Sequence, residues 1–167
     1  QQKPVLEKVF PRQANNDYRG SPVSFYVLCA FAVLFTGRSL IHYFKNDGGA
    51  NSIASIITFP GTPDPDTVIY LTFSLWGGQQ LVTVAILALV LWRYRTLIPF
   101  MLLMVVMEQL LRIGAGMLHP LSADFYDHKP PGAVGNLPLL ALAAVMFVLS
   151  LKEPSSIGHD GDDATQS

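Results

Sequence analysis

The sequence predicts an all-α integral membrane protein: four transmembrane helices in an antiparallel bundle, with both termini cytoplasmic. Three observations carry that prediction. Half of the 167 residues are apolar and 14% are charged, against roughly 25% charged in a typical soluble domain. The charge is also unevenly spread, since Thr67–Trp92 holds no Asp, Glu, Lys or Arg in 26 residues and Pro130–Leu151 none in 22. About 20 such residues cover the hydrocarbon core of a bilayer. Finally, the Lys and Arg that remain cluster on alternate flanks of the apolar runs. A formal net charge of −1 leaves no basic field for a phosphate backbone, which excludes a nucleic-acid binder. Helices are favoured over a barrel because the runs lack the dyad alternation of a barrel strand.

The first helix spans about 22–44, with Pro22 suited to a first helical turn. Its single cysteine, Cys29, sits in an apolar run and reads as a small hydrophobe. The chain opens at Gln1 rather than Met, so its start is expected to be processed or truncated. The apolar run from Val23 is too long for a signal core. The second helix spans about 67–92. Only Arg93, Tyr94 and Arg95 separate it from the third, about 96–119, and so short a turn makes the two antiparallel neighbours. Pro99 falls near the start of the third helix, where its missing N–H costs little, and Pro120 marks its end. The fourth spans about 133–151, with Pro138 expected to kink it or shift its start.

Orientation follows from the flanking cations. Lys3, Lys8, Arg12, Arg19, Arg93, Arg95 and Lys152 fall on one side, against Lys45 and Lys129 in the loops of the other. The first set marks the cytoplasmic side, which gives a cytoplasmic N-terminal segment (1–21). The outer loop 45–66 holds Ile53, Ile56, Ile57 and Phe59 close together, and a short interfacial helix on the headgroups is the favoured reading over a lid or docking segment. The tail from 152 is acidic and polar, and is expected to be flexible.

Chemistry is concentrated on the third helix, in Glu108, Gln109, Arg112 and His119 of MEQLLRIGAGMLH. Glu108, Arg112, Ala115 and His119 share one helical face. Ionisable groups near mid-bilayer are costly and ordinarily face a partner, and Glu108 and Arg112 can serve each other. Arg38 and His42 lie four apart in the outer half of the first helix. Gln79 and Gln80 sit near the middle of the second, beside Gly77–Gly78, and Thr72, Trp76, Gln79 and Thr83 form a further stripe. Two arginines against one carboxylate leave a cation unmatched, which points to an anionic ligand, a lipid headgroup or a partner carboxylate. Trp76, like Trp92 and most of the tyrosines, reads as an interfacial anchor.

Other chemistries find less support. His119, Asp124, Asp127 and His128 lie close in sequence but without a ligand-pair motif, so no metal is assigned. His42 and His119 as haem ligands lie too near the helix ends, and no cofactor is expected. Hydrolase and phosphate-loop signatures are missing. With no Gly-x-x-x-Gly pair, close helix contacts fall to Gly77–Gly78, Gly114, Gly116 and the Ala-rich fourth helix.

Four helices, a tight central turn, polar residues in the outer half, Gly77–Gly78 and the RIGAG segment together resemble the DoxX-like group of small bacterial membrane proteins over residues 22–151. The resemblance implies a four-helix fold and no particular activity. The leading expectation is a non-enzymatic accessory or structural subunit, in contact with the lipid bilayer and with other membrane-protein subunits. The alternatives are a small-molecule or lipid binder, transporter-like, using the Arg/Glu cluster, and a haem-carrying redox anchor.

Overall fold

The computed structural model describes residues 4–152. The acidic tail from Glu153 and the cation Lys3 lie outside the described residues. A short helix α1 (Val5–Val9) precedes four long ones, α2 (Pro22–Phe44), α3 (Asp66–Arg93), α4 (Ile98–Leu118) and α5 (Pro131–Ser150), with single 3₁₀ turns at Arg95–Leu97 and Ala123–Phe125. Among the described residues all regular structure is helical apart from one isolated bridge between Ile56 and Tyr126. The four long helices are each long and apolar enough to cross a membrane. Their outward faces leave Val33, Leu75, Val82, Leu111 and Val145 exposed, an apolar surface suited to lipid.

Prolines punctuate the helices as the sequence suggests. Pro22, Pro99 and Pro131 each occupy a first turn, where no intrahelical N–H is lost. The last of these starts α5 two residues before the expected Ala133, and the helix continues through Pro138. Asp66 opens α3, where a carboxylate complements the exposed amides of a helix start. It also accepts the Phe59 amide at 3.1 Å.

The turn at 94–97 returns the chain at once, yet the extensive packing is elsewhere. Close backbone approaches concentrate between α2 and α3 and between α4 and α5, and α3 meets α4 only sparsely. Separation between helices follows the size of the side chains at the contact. Gly77 brings α3 against α2, where a Cβ would meet the Tyr43 amide nitrogen at 2.7 Å and the His42 carbonyl carbon at 2.8 Å. Long side chains such as Trp76, Gln80 and Arg112 instead hold α3 and α4 apart. Gly114 and Gly116, expected to make close contacts, face open space.

The two ends of the bundle differ. At one end the N-terminal segment forms a strap. Lys8 Nζ donates to the Leu151 carbonyl at 2.9 Å, the Thr96 amide donates to the Asn15 carbonyl at 3.0 Å, and Phe10 meets Phe100 edge-on. We call this the terminal face. At the other end, the loop face, residues 45–65 lie against 122–127: the Ile57 amide donates to the Phe125 carbonyl and the Asp127 amide to the Ser55 carbonyl. No interfacial helix forms there. Gly48 and Gly49 take left-handed φ values of 58° and 77°, Ser55 one of 58°, and the segment folds as successive turns with Ala50 fully buried.

Depth divides the interior as well. The apolar core of Leu28, Phe31, Phe35, Leu87, Ile98, Leu102, Val105 and Ala143 fills the half of the bundle towards the terminal face. The half towards the loop face is polar.

Candidate functional site

The polar half is built from three helices. On α4, Glu108 and Arg112 are one turn apart, and Arg112 donates to Glu108 Oε1 from Nε at 3.0 Å and from Nη2 at 2.6 Å. From α2, Arg38 brings Nη2 within 3.6 Å of the same oxygen. Gln80 of α3 closes the group. Its amide orientation follows from its neighbours, since the oxygen must face donors. So oriented, it accepts from Arg112 Nη2 at 2.7 Å, Trp76 Nε1 at 2.9 Å and Arg38 Nη2 at 3.2 Å, while its nitrogen donates to Ser39 Oγ at 3.2 Å. One amide oxygen thus stands where an anion would.

Trp76 lies between the two cations. Its ring is 4.7 Å from the Arg112 guanidinium carbon and 5.6 Å from that of Arg38, and Phe35 backs Arg38 at 5.4 Å. Such cation–π contacts gain strength where water is excluded. They are not an interfacial anchor's contacts. Trp76 sits ten residues into α3, and its role escapes a sequence reading that groups aromatics by nearness to helix ends.

Donors exceed acceptors here. Two guanidiniums carry ten N–H donors between them, facing one carboxylate and one amide oxygen. Arg38 Nε is buried and has no acceptor among the described residues. The side chains of Arg112, Arg38 and Glu108 nevertheless stay 18%, 22% and 31% exposed, so the cluster opens to the side. Beside it is a cleft lined by Arg38, Ser39, Gln80, Thr83, Leu87 and Glu108, with room for no more than about one water molecule.

The other expected site residues are dispersed. Gln79 is exposed and turned away from the bundle, because its neighbour Gln80 takes the inward position with Gly77, Val84 and Leu87. Thr72 and Thr83 are also exposed, so the expected Thr72–Trp76–Gln79–Thr83 stripe does not face inward as a unit. His42 is buried. Its Nδ1 donates to the Gly48 carbonyl at 2.7 Å, and its ring rests on Trp76 and Phe73 at 4.7 and 5.8 Å. It fastens the loop face to α2. His119 is exposed at the end of α4 and shares no hydrogen bond or ring contact with His42. The two histidines stand in different surroundings, one buried against Trp76 and Phe73 and the other exposed at a helix end.

Gln109 belongs to the third-helix constellation in the sequence, beside Glu108, Arg112 and His119, but not to the expected site residues. It is fully buried on α4, and neither amide atom has a partner among the described residues. Its adjacency to Glu108 hid that it occupies the next, inward-facing position. No protein family, curated protein or solved structure matches this chain. The likeness to the DoxX-like group therefore rests on helix arrangement, Gly77–Gly78 and RIGAG alone.

Proposed function

We propose that this chain is a non-enzymatic, multi-pass subunit of a bacterial inner-membrane complex, which meets its partner through the Arg38–Glu108–Arg112–Gln80 cluster. The observation that carries this reading is a charged group, one third open at Glu108, on helices whose surroundings are lipid. Hydrocarbon cannot solvate it, so a polar neighbour is required. The small cleft argues against the transporter-like alternative, which needs room for a cargo. The different surroundings of His42 and His119 argue against a haem anchor. Orientation belongs to the same proposal: the terminal face, with Lys8, Arg12, Arg19, Arg93, Arg95 and Lys152, is cytoplasmic.

The test is the native mass of the tagged chain, extracted from its own membranes in a gentle detergent. A stoichiometric complex with a second membrane protein is the expected result. A lone monomer across several mild detergents would falsify the subunit reading.

A further inference from the structure

We infer that the occupant of this face is a transmembrane helix of another protein carrying a single carboxylate, seated over the cleft lined by Arg38, Ser39, Gln80, Thr83 and Glu108. This rests on the subunit reading above and gives the partner its chemistry. Charge is the first argument. The cluster holds two cations and one anion; one further carboxylate balances the charge. A second copy of this chain does not. It brings the same excess cation and would set like charge against like.

Depth is the second argument. Arg38 and Arg112 each lie six residues before the end of their helix, Phe44 and Leu118, which is about 9 Å below the loop-face end at 1.5 Å per residue. Long cationic side chains near a helix end ordinarily stretch outward to reach headgroups. Arg112 does the reverse, reaching back one turn to Glu108. The cations are held towards the bilayer centre, below the level of lipid phosphates. An acidic residue within a spanning helix meets them there.

A third observation is independent of the charges. Gln79 lies at the middle of α3, exposed on a surface that lipid would cover, and its amide makes no hydrogen bond. Thr83, one turn on, shares its face and lines the cleft. An amide in hydrocarbon without a partner is costly. Thr83 forms the polar rim of the cleft on its α3 side and Glu108 on its α4 side, and Gln79 stands one turn before Thr83 on the same exposed flank of α3.

The test needs no knowledge of the natural partner. The purified full chain is placed in phosphatidylcholine vesicles with a Leu/Ala-rich transmembrane peptide bearing one Glu at the depth of Arg112. A second peptide has Gln at that position, and association is followed by energy transfer at pH 8. The Glu peptide is expected to bind more than about tenfold tighter, the least that close charge pairs across an interface give. Gln79→Leu should weaken that binding about threefold, the worth of one intramembrane hydrogen bond, and leave the melting temperature unchanged. Equal binding of the two peptides to the wild-type chain overturns the inference, whether or not any variant folds. So does loss of the Glu preference in vesicles rich in phosphatidylglycerol, which would mark a headgroup site. Failure of the peptide with an intact native complex removes this inference alone. A Glu-selective peptide with no native complex removes the subunit reading instead.

Discussion

Removing Glu108 should damage the fold more than removing either arginine, because the three charged residues of the site are unequal in number of partners. Glu108 is the shared acceptor of Arg112 and Arg38. Glu108→Gln therefore leaves two cations facing each other across Trp76. Arg112→Met leaves Glu108 with Arg38 at 3.6 Å, and Arg38→Met leaves the two-bond Arg112 pair intact. Breaking a fully buried pair costs roughly 3–5 kcal/mol, and the partial exposure here puts Glu108→Gln towards the lower end. The expected order of loss is Glu108→Gln, then Arg112→Met, then Arg38→Met. Glu108→Gln with Arg112→Met restores the original excess of one cation and should recover part of the stability. Thermal unfolding in detergent reads all four, and three single variants that melt like the wild type would show that these groups do not hold the bundle together. The i,i+4 spacing made the Glu108–Arg112 pair legible in the sequence, and Arg38 was placed at its depth by helix register. Which of Gln79 and Gln80 turns inward was not legible. Neighbouring positions differ by 100° around a helix, and only the seat of Gly77 against α2 settles the rotation of α3.

At the level of elements, the contact of α2 with α3 depends on a hydrogen atom at position 77. A methyl there would press on backbone, which cannot swing aside, so Gly77→Ala should cost about 1–3 kcal/mol as overpacking does. Gly114→Ala meets nothing within 4 Å and should be neutral or slightly stabilising, since alanine is the better helix former. Equal melting temperatures for the two variants would refute the close α2–α3 seat. The helices themselves were legible from hydropathy and proline positions. The loop-face cap was not, since its isoleucines suit an amphipathic helix equally well and its turns depend on left-handed backbone at Gly48, Gly49 and Ser55. Asp47 organises that cap by accepting the amides of Gly49 at 2.9 Å and Ser52 at 2.8 Å. Partial burial pushes its pKa up, but the Ser52 and Gly49 hydrogen bonds and nearby Lys45 outweigh it, and the carboxyl ends below its ordinary 3.8. A carboxyl depressed by folding stabilises the folded form above its unfolded value, and that contribution fades as pH falls through the folded one. Protection of the Gly49 and Ser52 amides, with exchange compared to the intrinsic rate at each pH, should thus fall once the pH drops below about 3.8. Asp47→Asn should exchange fast at neutral pH and lose this acid dependence.

For the whole molecule, the division between an apolar half and a polar half is the property from which orientation acquires meaning. The strap of residues 4–21 ties to Thr96 and Leu151, so the two ends of the described chain, Pro4 and Lys152, and the central turn share one face, while 45–65 and 119–130 share the other. Their cations are split accordingly, with Lys45 and Lys129 alone on the loop face among the described residues. Cations retained on the cytoplasmic side set topology when they lie close to helix ends, as Arg93 and Arg95 do. The polar half, and with it the cleft, then lies in the outer leaflet, and a partner helix must place its carboxylate there. Cys29 is the only native thiol, so a Cys29→Ala background permits single-site labelling in intact cells. Cysteines at Thr62 and Ser122, both exposed on the loop face, should react with a membrane-impermeant maleimide from outside. One at Gln13, exposed on the terminal face, should react only after the membrane is opened. The reverse pattern would invert the orientation. It would move the cleft to the inner leaflet and leave the internal geometry of the cluster unchanged, because Arg38, Gln80, Glu108 and Arg112 are fixed to one another and not to either side of the membrane.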